Sequence, residues 1–166
     1  MIPLHVLTMI FTQPDQPAIM VLEPDEPAIA GKQRIVPIWI GAQEAMQLGV
    51  ALEQVKPPRP LTHDLFIDAL TNLDARVDHV VVNDVAGQTF FSKMYLRQGG
   101  RLIELDARPT DAIALAIRQG APFYIDEDVL ARASYPFILK EGADKETELK
   151  EFDSFIENLN PEDLLK

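Results

Sequence analysis

Apolar and polar positions divide the chain into short extended stretches and longer helical ones. Residues 2–11 and 18–22 read as strands, set apart by the breakers Pro14, Asp15 and Pro17. "QRIVPIWI" (residues 33–40) reads as a third strand. Its Pro37 has no N–H to give a ladder, which places it at an edge or a bulge. Gly41 ends that strand, and "AQEAMQLGVALEQV" follows as a helix. Ala45, Leu48, Leu52 and Val55, widened by Met46 and Val50, give that helix a broad apolar stripe, so it is expected to be largely buried. The stiff "PPRP" (residues 57–60) leads into a second helix, whose core face is predicted to be Leu65, Phe66, Ala69, Leu70 and Leu73.

"RVDHVVVNDV", "QTFFSKMYL" and "RLIELD" form a predicted antiparallel meander with turns at Ala86-Gly87 and Gly99-Gly100. A helix over residues 111–119, apolar on nearly all sides, is expected to be central and to stop at Gly120 with Pro122 beyond. "PFYI" is a short strand, and a short helix follows from Glu127, capped by Asp126. Residues 141–166 differ from the rest: Leu149, Phe152, Ile156 and Leu159 draw a narrow apolar seam through a strongly charged helical pattern. The sum is an α+β chain, a mainly antiparallel or mixed sheet packed with three to four helices. Residues 1–140 are expected as the domain and residues 141–166 as an acidic C-terminal helical tail.

Composition narrows the chemistry. The chain has 166 residues, which suits one domain, and its hydrophobic content of 47% is ample for a core. It has no cysteine, which removes disulfides, thiolate catalysis and Cys-ligated zinc. No apolar run approaches the roughly 20 residues of a membrane span. The apolar start "MIPLHVLTMIF" lacks a basic flank and a small-residue cleavage site, so a strand is expected there and the chain is expected to be cytoplasmic. Net charge is −11, of which the last 26 residues carry −6. No basic stripe follows the chain, so a nucleic-acid partner would be held weakly and locally.

One echo carries candidate chemistry. "RPLTHD" (residues 59–64) and "RPTD" (residues 108–111) both run Arg-Pro, then Thr, then Asp. Helix starts explain part of this: Thr62 and Thr110 are suited to N-caps, and Asp64 and Asp111 then complement the helix dipole. At about 100° per residue, Asp64 lies nearly opposite its helix's apolar face. Asp111 and Arg118 share a side with Ala114, where another group could approach closely. Arg59 and Arg108 precede their helices and could reach an anion at a helix N-terminus.

These residues compose a candidate phosphodiester site. Asp64, Asp106 and Asp111, with Glu44 as an outlying ligand, could hold Mg²⁺ or Mn²⁺ through oxygen. His63 could act as general acid or base, and Arg59 and Arg108 could bind phosphate. The same arginines and aspartates could equally be structural ion pairs. His5 and His79 are expected at surface or edge positions, Trp39 in the core, and Phe90, Phe91 and Tyr95 in core packing.

"VPIWIGAQEA" (residues 36–45), "RPLTHDL" (59–65), "DARPTDAIALAIRQGAPFYI" (106–125) and "ELKEFDSFIENLNPEDL" (148–164), in that order, resemble the bifunctional nuclease domain family. The resemblance implies nuclease activity on DNA and RNA, a small α+β fold and a homo-oligomer, with a dimer favoured. The family pattern has Ser where this chain has Thr110, which keeps the hydroxyl. Residues 12–34 depart in detail from the more regular hairpin of the family. Two functions are therefore carried forward: a metal-assisted nuclease, and a non-catalytic regulatory or assembly module in which the Arg and Asp motifs are caps and ion pairs.

Overall fold

The computed structural model describes residues 1–11, 17–25 and 33–137. The chain order is β1 (Ile2–Phe11), β2 (Ala18–Pro24), β3 (Gln33–Ile40), α1 (Ala42–Leu52), α2 (Thr62–Asn72), β4 (Ala75–Ala86), β5 (Thr89–Gln98), β6 (Arg101–Ala107), α3 (Pro109–Gln119), β7 (Phe123–Ile125), α4 (Glu127–Ala133) and β8 (Tyr135–Phe137). The strands form one eight-stranded sheet in the order β6-β5-β4-β7-β1-β2-β3-β8. Among the described residues only the β4–β7 pairing is parallel. The fold is therefore α+β on a mixed sheet with four helices, as the sequence pattern implies.

Tight turns hold the β4–β5–β6 meander. Gly99 and Gly100 both have positive φ, 52° and 81°, a combination that suits a two-residue hairpin and that glycine adopts without penalty. α3 crosses from β6 to β7 and ends on Gly120 in the left-handed conformation (φ 66°). Pro37 pairs with Val21 of β2, while the β3–β8 ladder covers only Gln33 to Ile35. Its missing N–H therefore falls where β3 has no second neighbour among the described residues.

Two cores lie between sheet and helices. One joins Met20, Leu22, Val36 and Ile38 to Leu48 of α1, Ile113 of α3 and Val129 of α4. The other joins Val77, Val80, Met94 and Leu96 to Leu70 of α2 and Ala112, Leu115 and Ala116 of α3. A smaller cluster, Ile10, Ile19, Val21 and Ile35, with Trp39 packed against it, lies on alternate positions of β1–β3. β2 is thus buried on both faces, with Met20, Val21 and Leu22 all fully enclosed. α3 buries every residue from Pro109 to Ala116 except Asp111, as its all-round apolar pattern predicts.

Two helices differ from expectation. α1 buries only Ala45, Leu48 and Ala51. The helix ends at Leu52 and Gln54 turns to positive φ (52°), so Val55 leaves the stripe; Leu52 and Met46 are exposed too. α2 is turned over. Its buried residue is Leu70, whereas Leu65 (62% exposed), Phe66 (40%) and Leu73 (63%) face outward with Ala69. The physical reason lies on α3, whose Asp111 and Arg118 meet the polar edge of α2, His63 and Asp64. β8 extends the sheet with a strand the pattern did not signal. The predicted tail over residues 141–166 lies outside the described residues. No helix among the described residues is long and apolar enough to cross a membrane.

Candidate functional site

Three helix starts build the site. α1, α2 and α3 each place an acid at the third helical position: Glu44, Asp64 and Asp111. Their N-cap residues are Gly41, Leu61 and Arg108, and none caps through a side-chain hydrogen bond. The expected caps Thr62 and Thr110 are instead the first and second residues inside their helices. At α2 the capping runs in reverse: the Leu61 amide donates to Asp64 Oδ2 at 2.9 Å. At α3, Pro109 supplies the preset φ of a first helical residue and needs no N–H partner.

Each acid is held by an arginine. Arg118 Nε donates to Asp64 Oδ1 at 2.8 Å. Its other nitrogens donate to the carbonyls of Ala114 (3.1 Å) and Gln47 (3.3 Å), so one guanidinium ties α1, α2 and α3 together. Arg118 is deeply set, with its side chain 9% exposed. Arg108 Nε donates to Asp111 Oδ2 at 2.7 Å and its Nη1 to Glu44 Oε1 at 2.9 Å. Unlike Arg118, Arg108 is 64% exposed. His63 Nε2 lies 3.1 Å from Asp111 Oδ1, so Asp111 sits between a histidine and an arginine. The other ring nitrogen of His63, Nδ1, is buried and has no hydrogen-bond partner.

Electrostatics follow from these contacts. Partial burial works to raise the Asp111 carboxyl, but hydrogen bonds from Arg108 and His63 outweigh it and hold the group below its usual range. Burial likewise opposes ionisation of Asp64, and Arg118 with the Leu61 amide outweighs it, so that carboxyl is also lowered. Both acids are ionised at neutral pH.

Of the expected site residues, the structure brings together His63, Asp64, Asp111, Glu44 and Arg108. It does not bring in Arg59, which is exposed and has no ion-pair partner among the described residues. Nor does it bring in Asp106. Ile103, Leu105 and Ala107 of β6 pack toward the helices, so the alternate position Asp106, opposite Lys93, lies on the other sheet face. Asp64, Asp111 and Glu44 do not converge as a set of open oxygen ligands, because guanidinium groups already occupy them. Among the described residues no three His, Asp or Glu side chains are grouped as a metal site. As arranged, the carboxylates do not fit Mg²⁺ or Mn²⁺. Arg118 is the partner that the reading of two Arg-Pro echoes missed. Its signal was present in the spacing of Asp111 and Arg118, two turns apart on one side of α3.

Two grooves flank the network. One, of about 580 Å³, runs between α1, α2 and the end of α3, and its wall includes Asp64, Ile67, Asp68, Ile117 and Arg118. The other, of about 280 Å³, opens beneath Arg108 and is lined by Gly41, Glu44, Thr89, Phe90 and Thr110. On the far face of the sheet His79 stacks on Tyr95 with ring centroids 4.3 Å apart. There Arg97 donates to Asp78 (2.6 Å) and Lys93 to Glu104 (2.6 Å). Tyr95 is therefore an outer-face residue, not a core one, and Phe91 beside it is exposed. His5 is exposed and held by Asp25 and Glu23.

Known proteins match this chain in sequence. An uncharacterized protein of Mycobacterium tuberculosis is 33% identical over 156 residues, covering 90% of this chain and 88% of the relative. Bifunctional nuclease 1 of rice (Oryza sativa subsp. japonica) is 24% identical over 102 residues, which are 60% of this chain and 31% of the rice protein. The bifunctional nuclease of Oryza minuta matches to the same extent. Residues 28–137, which include α1, α2, α3 and every residue of the ion-pair network, match the bifunctional nuclease domain. The chain belongs to the bifunctional nuclease domain family.

Proposed function

We propose that the chain is a nuclease-like phosphodiesterase whose contact with its substrate is Arg108. One observation carries this reading: a solvent-reachable guanidinium at the N-terminus of α3, over a groove, held among the described residues by carboxylates that a phosphate can replace. When a phosphodiester takes Arg108, Asp111 Oδ2 loses its partner while Oδ1 keeps His63. The released carboxylate regains basicity and can accept a proton from the attacking water. Water oxygen bonds to phosphorus, the P–O bond to the leaving sugar breaks, the leaving oxygen takes up a proton from solvent, and Asp111 returns the accepted proton to solvent. His63 acts here as a positioning residue, since Nε2 is engaged by Asp111 and Nδ1 is enclosed.

The test is cleavage of end-labelled single-stranded DNA and RNA by purified protein, with Mg²⁺, with Mn²⁺ and with a chelator. Arg108→Ala is expected to cut the rate by about a hundredfold while leaving the melting curve close to wild type. Cleavage by Arg108→Ala at the wild-type rate overturns the reading. The chelator arm shows whether a divalent ion takes part.

A second reading, the assembly module, is favoured by the completeness of the pairing at all three helix starts. It assigns the network to stability alone. Asp111→Asn then lowers stability by on the order of 1 kcal/mol or more, and no variant of the network alters cleavage.

A further inference from the structure

We infer that the outer face of α2 is the seam of a two-fold homodimer, in which the α2 of a second copy packs antiparallel against it. Leu65, Phe66 and Ala69 of α2, with Leu73 at its C-cap, form one outward stripe, and Leu65 and Leu73 are each more than 60% exposed. Isolated exposed leucines are ordinary, but a continuous stripe along one helix is a contact surface. The inner face of α2 is already taken by Arg118, Asp111 and the core around Leu70. The stripe therefore is not served by rolling the helix, and among the described residues nothing covers it.

The charges at the two ends of α2 select a second copy as that partner. Arg59 stands exposed just before the helix and has no ion-pair partner among the described residues. Asp74 stands exposed just after it, with no side-chain partner among the described residues. The last turn of α2 holds no basic residue to complement its carbonyl end. An antiparallel pair brings Arg59 of each copy to Asp74 and the helix C-terminus of the other, twice by symmetry. Small Ala69 near the middle allows the axes to approach closely, and Phe66 of one copy can pack over it. Asp68 points into the groove toward α1 and Arg118, away from the seam.

The full chain is measured by sedimentation across a concentration series. The wild type is expected to dimerise, and Leu65→Glu with Leu73→Glu to weaken the dimer by at least about a hundredfold with unchanged circular dichroism. Arg59→Glu alone is expected to weaken it by about tenfold, and Arg59→Glu with Asp74→Arg to restore it. Because the chain has no cysteine, Ala69→Cys treated with a short bismaleimide is expected to give a single cross-linked dimer. A wild type that stays monomeric to about 0.1 mM overturns the proposal, as does failure of the charge swap to restore association. Loss of the dimer on Phe152→Glu with no effect of Leu65→Glu and Leu73→Glu also overturns it, by assigning the contact to the C-terminal seam.

Discussion

At the scale of single residues, the decisive choice is which cation holds which acid. Arg118 and Arg108 make similar bonds to aspartates, yet one is nearly enclosed and the other mostly in solvent. The enclosed one is structural. Replacing it by methionine leaves Asp64 without its charge partner and removes the added hydrogen bonds to the helical carbonyls of Ala114 and Gln47, at a cost of about 2 kcal/mol in urea denaturation. The exposed one contributes little to stability and is free to change partners. The acids also set a pH signature. Asp64, Asp78 and Asp111 all have carboxyls held below the ordinary 3.8, and Arg97 with His79 brings Asp78 to about 2. A lowered folded value means that the unfolded chain binds more protons across the window. Stability is therefore full above about pH 5 and falls as pH drops through these values. Melting temperatures taken from pH 6 to pH 2 should decline steeply below about pH 4, and Asp78→Asn should flatten the lower part of that decline.

At the scale of elements, α2 and α3 show opposite fates for an apolar pattern. α3 is apolar almost all round and is buried almost all round, so its placement was legible. Its stop was legible too, because Gly120 carries a positive φ of 66° that a Cβ resists. Gly120→Ala should cost about 1 kcal/mol in thermal or chemical unfolding, with the helix otherwise intact. α2 carries an equally clean apolar stripe, but its polar edge found partners on α3 and the stripe stayed outside. Hydrophobic periodicity gives the direction of a stripe on its own helix; it does not say whether the surface that covers it belongs to the same chain. The helix starts were located to within two residues, but their capping chemistry was misassigned. Thr62 and Thr110 looked like caps because hydroxyls usually cap, whereas here the acid at the third helical position reaches back or pairs with arginine.

At the scale of the whole molecule, charge and topology limit what the site can bind. A net charge of −11 repels a polyanion, and Arg108 is the one network cation that stands in solvent. Binding to single-stranded oligonucleotides should therefore be weak. With one or two phosphates neutralised, the slope of log affinity against log salt should be about −1. Fluorescence anisotropy at several salt concentrations checks this, and a slope steeper than about −3 would require a basic surface beyond Arg108. The sheet explains why Asp106 never reached the others. Its neighbours in the sequence, Arg108 and Asp111, lie past the end of β6 on the helix side, while alternation along the strand turns Asp106 to the opposite face.

The amino-acid order by itself determined what depends on near neighbours. Strand and helix positions, the Gly99-Gly100 turn, the stop at Gly120, the central burial of α3 and the family motifs all rest on local periodicity, backbone preference or contiguous residues. The tertiary structure alone decided which face of α2 turns inward, that Arg118 rather than Arg59 holds Asp64, and that Asp111 stands between His63 and Arg108. Those outcomes follow from competition among distant groups for the same contact. Half-buried Asp64 takes the nearby cation that also reaches carbonyls of α1 and α3, and the helix carrying it turns to allow this. Proximity in the sequence does not rank the competitors, because the packing of α1, α2 and α3 on the sheet sets the distances.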